Sequence, residues 1–224
     1  GEGPRIERPV RDAAAIAALR PVDARESLGF VGESVRLCVA ELGSTLPVIG
    51  FAGAPFTVAS YAVEGGSSRN FVETKTLMYR DSAAWDDLMR RISDGTIDYL
   101  ALQVDAGAAV VQLFDSWVGA LSPADYRRFA LPHVRRIVDA IRPRVPVIYF
   151  GTGTAGLLPL LRETHADVVG LDWRVDLGDA WNVLGEDVAV QGNLDPVRLF
   201  DDVSGVRAAA RDVLRSAGSR AGHI

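Results

Sequence analysis

The chain has 224 residues, 48% hydrophobic and 24% charged, enough apolar surface for one core, and no apolar run long enough to span a membrane. Its net charge of −5 gives no general reason to expect nucleic acid or an anionic membrane surface as a partner. One cysteine, Cys38, excludes an internal disulfide and makes a cysteine-built zinc site improbable, which fits a reducing cytoplasm.

Gly1–Pro9 reads as an extended lead-in without the basic and apolar regions of a secretory signal. From Val22 to Leu42, apolar residues at Leu28, Val31, Val35, Val39 and Leu42 predict an amphipathic helix that Gly43 ends, with Cys38 as a small buried residue on it. Val48–Ala52 is a short apolar run of the kind a strand buried on both faces requires, and Gly53 and Pro55 stop it. Beyond them a short helix or irregular turn leads to a reversal at Gly65 and Gly66. Phe71–Tyr79 and Ser82–Ala106 read as helices, the second capped by Asp81 or Ser82, closed by Gly107, and inward-facing at Trp85, Leu88, Ile92, Ile97, Leu100 and Val104.

The rest alternates regularly: strand Ala109–Phe114, helix Pro123–Ile141, strand Val145–Phe150, helix around Ala155–Glu163, strand Asp167–Leu171, helix Leu177–Leu184, strand Asp187–Gln191, helix Ser204–Ala217, and the start of a strand at Gly222–Ile224. Such βα units call for parallel strands covered by helices, as a doubly wound sheet or a (β/α)8 barrel. Gly151, Gly153 and Gly156 fit a G-x-G-x-x-G spacing once, so a phosphate cradle is one reading and a strand-end turn facing a ligand the other. Most arginines, among them Arg90, Arg91, Arg135 and Arg136, fall at helix-surface spacing and read as a solvated face. A single lysine, Lys75, accompanies them.

The stretch Val48–Ser68, with Tyr61 and Glu64–Ser67, closely resembles the uroporphyrinogen decarboxylase family, and the likeness continues through Gln112–Pro123, Phe129–Val134, Val168–Trp173 and Gln191–Pro196. It covers essentially the whole chain, in the family's order. The resemblance implies a single-domain TIM-type (β/α)8 barrel, incomplete in residues 1–224, which supply about five to six βα units of its central part. It implies a cytoplasmic carboxy-lyase, a homodimer, that removes CO₂ from the four acetate side chains of uroporphyrinogen to give coproporphyrinogen in haem biosynthesis, with no cofactor and no metal.

In that family the aspartate central to catalysis and the arginines that bind substrate carboxylates match positions before Gly1, so the 224 residues alone are expected to be inactive. What remains is Tyr61 and Ser116, each matching a family position that hydrogen-bonds substrate. Without the match, Tyr61 reads as a half-buried aromatic whose hydroxyl reaches water. Asp115, just past a strand, is a candidate acid or base, but a helix cap or structural hydrogen bond is the preferred reading. Asp172 reads as strand-end hydrogen bonding rather than a pocket carboxylate, and Asn193 and Asp195 as turn or capping residues. His133 and His165, placed on helices, have no triad spacing, and His223 does not match the family's pocket histidine. The same superfamily offers an alternative, a corrinoid-linked methyltransferase with a His/Cys zinc site, which Cys38 alone does not supply. A non-catalytic tetrapyrrole-binding fragment is the third reading.

Overall fold

The computed structural model describes residues 5–43, 45–66 and 68–224. Ser67, the last residue of the Glu64–Ser67 run, lies outside the described residues. Elements follow in the order α1 (Ala13–Ala17), α2 (Ala24–Leu42), β1 (Ile49–Gly53), α3 (Pro55–Glu64), α4 (Val72–Arg80), α5 (Ser82–Asp105), β2 (Val110–Asp115), α6 (Pro123–Phe129), α7 (Leu131–Ile141), β3 (Val147–Gly151), α8 (Leu158–Arg162), β4 (Val168–Gly170), α9 (Leu177–Leu184), β5 (Ala189–Gln191) and α10 (Val203–Ala217).

The five strands are parallel and lie in chain order, β1-β2-β3-β4-β5. A doubly wound sheet reverses its order at a switch point; an unbroken sequential order of parallel βα units is that of a barrel wall. Gly222–Ile224 adds a sixth short strand segment: the Gly222 carbonyl accepts from the Val190 amide at 2.9 Å, and the Ile224 amide donates to the Val190 carbonyl at 2.9 Å. Of the two architectures that the alternation of elements allows, the strand order therefore selects the α/β barrel, incomplete over these residues, as the resemblance implies.

In-register pairing sorts the strand side chains into two faces. Val111, Leu113, Val147, Tyr149, Val169 and Val190 point to the helical layer and are fully buried. Phe51, Phe114 and Phe150 point to the barrel interior, where neighbouring rings meet edge to face at 5.9 Å. Burial on that interior face is graded along the sheet. Ile148 and Val168 are covered, whereas Ile49 is 45% and Phe51 58% exposed. The strand expected to be buried on both faces is thus buried on one, because β1 ends the sheet and its interior side chains have no opposing wall among the described residues.

Several local readings change. The helix predicted over Pro123–Ile141 breaks at Ala130 into α6 and α7, because Pro132 removes an amide donor and crowds the carbonyl four residues back. The helix around Ala155–Glu163 is a 3₁₀ turn followed by the five-residue α8. His165 is not helical: it follows α8 at φ 66°, its Nδ1 2.9 Å from Asp139. Cys38 is exposed on the outer side of α2 rather than buried, since α2 packs against α5 along its other side. Arg91 and Arg135 do more than face water. Arg91 donates to the Leu19 carbonyl and Arg135 to the Glu163 carbonyl, so each ties a loop to a helix. Helix starts follow the expected chemistry, with Asp23, Asp81, Ser122, Asp176 and Asp202 each accepting backbone amides of the first turn.

Candidate functional site

In a barrel wall of this kind the loops after the strands gather at one end, and chemistry-bearing side chains collect there. Tyr61 and Ser116 both reach that end. β1 stops at Gly53 and Pro55 starts α3 at a position where a missing amide costs nothing. Tyr61 lies two turns along α3, its ring 4.0 Å from the Trp117 ring, and remains 39% exposed. Ser116 is the residue after β2 and is exposed. It is flanked by Asp115 and Trp117, and both flanking residues are fixed from α3.

Asp115 is fully buried on the helical side of β2, not in the barrel interior. Its Oδ1 accepts from the Thr57 hydroxyl at 2.7 Å and its Oδ2 from the Tyr149 hydroxyl at 2.8 Å. Tyr126 Oη donates to Tyr149 Oη at 3.3 Å, which extends the chain of hydroxyls into α6. Burial pushes the Asp115 carboxyl up to about 6, and the hydrogen bonds from Thr57 and Tyr149 oppose that rise. The same burial raises both tyrosines well above their usual range. The structural hydrogen-bonding reading of Asp115 is correct; it caps no helix, and its orientation excludes direct contact with a ligand in the interior.

The loop after β3 is held on both sides. Thr152 Oγ1 donates to the Ser116 carbonyl, and the Gly153 amide donates to Asp172 Oδ2. Asp172, 4% exposed, also accepts from the Arg174 amide at 2.9 Å and from the Arg174 guanidinium at 2.7 Å. A carboxylate therefore already takes up the Gly153 amide, and the helix that follows has only five residues. Both features argue against a phosphate cradle at Gly151–Gly156. Gly119 has to be glycine, because a Cβ there would stand 2.3 Å from the Thr152 carbonyl oxygen. The loops after β2 and β3 are thus packed backbone to backbone, with Ser116 on their rim.

Asn193 Nδ2 bridges the carbonyls of Asp172 and Val175, at 3.0 and 2.8 Å, and Asp195 accepts from the Val197 amide, so both act as turn residues. His133 is buried on α7 with Nε2 3.2 Å from Asp86 Oδ1; desolvation lowers its pKa, and the neighbouring carboxylate opposes that. His223 lies against the Gly192 carbonyl beside Trp181. These histidines lie apart from Tyr61 and Ser116. Among the described residues no group of three or more His, Cys, Asp or Glu side chains gathers as a metal site. A cavity of about 470 Å³ opens between the Pro21–Arg25 segment and Asp98, Ala101 and Leu102 of α5. It lies toward the end where α5 runs down to the start of β2, opposite to Tyr61 and Ser116.

The residues that motif reading missed are Thr57 and Tyr149. Neither has a suggestive spacing to Asp115, which lies 58 and 34 positions from them respectively.

The whole chain, residues 1–224, matches the family model described as Uroporphyrinogen decarboxylase (URO-D). A protein named uroporphyrinogen decarboxylase from Koribacter versatilis is 53% identical over 226 residues, covering 100% of this chain and 64% of that protein. One of the same name from Chloroflexus aurantiacus is 52% identical, again over 100% of this chain and 64% of its own length. The chain therefore spans 64% of the length of these curated relatives. Among solved structures, a methyltransferase from Methanosarcina mazei superposes with a TM-score of 0.80 at 18% identity, over 93% of this chain and 61% of its own. That likeness is one of fold.

Proposed function

The chain belongs to the uroporphyrinogen decarboxylase family, and on that premise we propose that the protein it is part of decarboxylates the acetate side chains of uroporphyrinogen in tetrapyrrole biosynthesis. The observation that carries the proposal is the match over all 224 residues, at about half identity, to proteins named for that activity. The location of Tyr61 on α3 and of Ser116 just after β2, both at the C-terminal end of the sheet, supports a substrate-binding role for both hydroxyls.

The chemistry needs no cofactor. A proton added to the pyrrole ring carbon next to the one that bears the acetate makes the ring electron-poor, and the ring then accepts the electron pair released as the C–C bond to CO₂ breaks, forming an exocyclic double bond. A second proton on the exocyclic carbon, with loss of the ring proton, leaves a methyl group, so each acetate consumes one proton and releases one CO₂. The protein's task is to stabilise the transient cation and to orient a polycarboxylate. Tyr61 and Ser116 offer neutral hydroxyls suited to orientation rather than to charge stabilisation.

We also take the protein to be a cytoplasmic homodimer, a reading supported by the resemblance and by a single unpaired thiol. The test is coproporphyrinogen formation from anaerobic uroporphyrinogen by the complete protein, alongside Tyr61→Phe. A hydrogen bond to a charged group contributes about 1.5–3 kcal/mol, so that variant should lose roughly tenfold to a hundredfold in kcat/KM. No product from the complete protein would overturn the reaction; unchanged kinetics in Tyr61→Phe would remove Tyr61 from the site. Sedimentation of the complete protein checks the dimer.

A further inference from the structure

Thr57 and Tyr61 stand four residues apart on α3, so they share one face, one turn from each other. That face grips the two residues on either side of Ser116. The Thr57 hydroxyl donates to Asp115 Oδ1 at 2.7 Å and accepts from the Trp117 amide at 3.3 Å, and the Tyr61 ring packs on the Trp117 ring. From the other side Tyr149 on β3 holds the second carboxylate oxygen. Thr57, Asp115 and Tyr149 are all buried, so water does not compete for these bonds.

A buried carboxylate held by hydroxyls is a costly way to join a helix to a strand, because an apolar pair of similar shape usually serves stability as well or better. What the polar arrangement supplies is direction. Hydrogen bonds fix the azimuth of α3 about β2 more sharply than packing does, and Ser116 lies at the fixed point.

We infer that Thr57 is a positioning residue, which holds the Tyr61 and Ser116 hydroxyls in register by bridging the Asp115 carboxylate and the Trp117 amide. The inference rests on the substrate-binding reading of those two hydroxyls. Thr57 itself touches no ligand; it acts through its neighbours. Removing its hydroxyl frees the end of β2 and lets α3 rotate, and misplacing contact groups by about 1 Å costs up to roughly a hundredfold.

The experiment is a double-mutant cycle on the complete protein, with KM and kcat for uroporphyrinogen measured for Thr57→Val, Tyr61→Phe and the pair, and with Thr57→Ser as rescue. Thr57→Val should raise KM roughly tenfold, mainly through lost orientation of the bound ligand, and Thr57→Ser should recover to within about twofold of wild type. In the Tyr61→Phe background the Thr57→Val effect should shrink, because a group that acts through Tyr61 has less to position. If Thr57→Val does not fold, Thr57→Ala, which removes the same hydroxyl, replaces it in the cycle with the same expected coupling. Effects that simply add, or a Thr57→Val protein with wild-type KM beside an impaired Tyr61→Phe, overturn the positioning role alone. Wild-type kinetics in Tyr61→Phe overturn the site reading, and the positioning role falls with it.

Discussion

Asp115 is a carboxylate whose hydrogen-bonding side-chain partners are two hydroxyls, and that has a consequence for stability. Its folded pKa is raised to about 6 from 3.8, so between those values the folded protein holds a proton that the unfolded chain has released. The contribution is fully present below about pH 4, is lost as pH rises through about 6, and is constant above. The lost amount is on the order of 3 kcal/mol, from the 3.8-to-6 shift. Asp115→Asn cannot titrate, and its amide can accept from one hydroxyl and donate to the other. The difference in unfolding free energy between wild type and Asp115→Asn, followed by urea denaturation from pH 4 to 7, should therefore fall steadily and then level off. Parallel curves would mean that Asp115 is not held as described. Tyr61 and Ser116 were legible in the sequence only through family motifs. Thr57 was not legible at all, since nothing local distinguishes a threonine whose partner lies 58 positions away.

At the level of the elements, β1 is finished by a side chain. Gln103, 2% exposed on α5, donates from Nε2 to the Phe51 carbonyl at 3.0 Å and accepts at Oε1 from the Phe51 amide at 2.9 Å. Both outward backbone groups at the middle of β1 are thereby satisfied as a neighbouring strand would satisfy them. Gly50 makes this possible, because a Cβ there would stand 2.9 Å from Gln103 Oε1 and 3.2 Å from Ala108 Cβ. Gly50→Ala should push the amide off the strand and cost about 1–3 kcal/mol. Gln103→Leu should cost a similar amount by leaving both groups unpaired. In each variant, hydrogen exchange at the Phe51 amide should accelerate beyond the change at Leu113 on β2; equal acceleration at both would show global loosening instead. Hydrophobic periodicity located β1 and α5, yet periodicity is silent about a polar side chain that mimics a strand. The split of α6 from α7 was legible in Pro132, whereas the exposure of Cys38 depended on which side of α2 faces α5.

The whole sheet presents an unequal inner face, and this determines how a polypeptide of residues 1–224 should behave in solution. Element alternation fixed the α/β class, and in-order strand pairing selects the barrel over the doubly wound sheet; the sequence could not reveal where burial fades. It fades toward β1, where Ile49 and Phe51 are 45% and 58% exposed beside the half-buried Phe114. Backbone pairing along β1 is obstructed at Phe51 by Gln103, so association through the strand edge is disfavoured. Association through the apolar inner face is not. Covering one such aromatic side chain is worth about 1.5–3 kcal/mol. Phe51→Lys adds charge where the side chain already meets solvent, so it should leave the fold intact and weaken self-association of that polypeptide by roughly tenfold to a hundredfold. Gln103→Leu opens the edge instead and should strengthen it. Sedimentation velocity across a concentration series separates the two routes. A monomer at all concentrations would show that the inner face is not adhesive. Association unchanged by Phe51→Lys but raised by Gln103→Leu would place the contact at the edge of β1 rather than on the sheet.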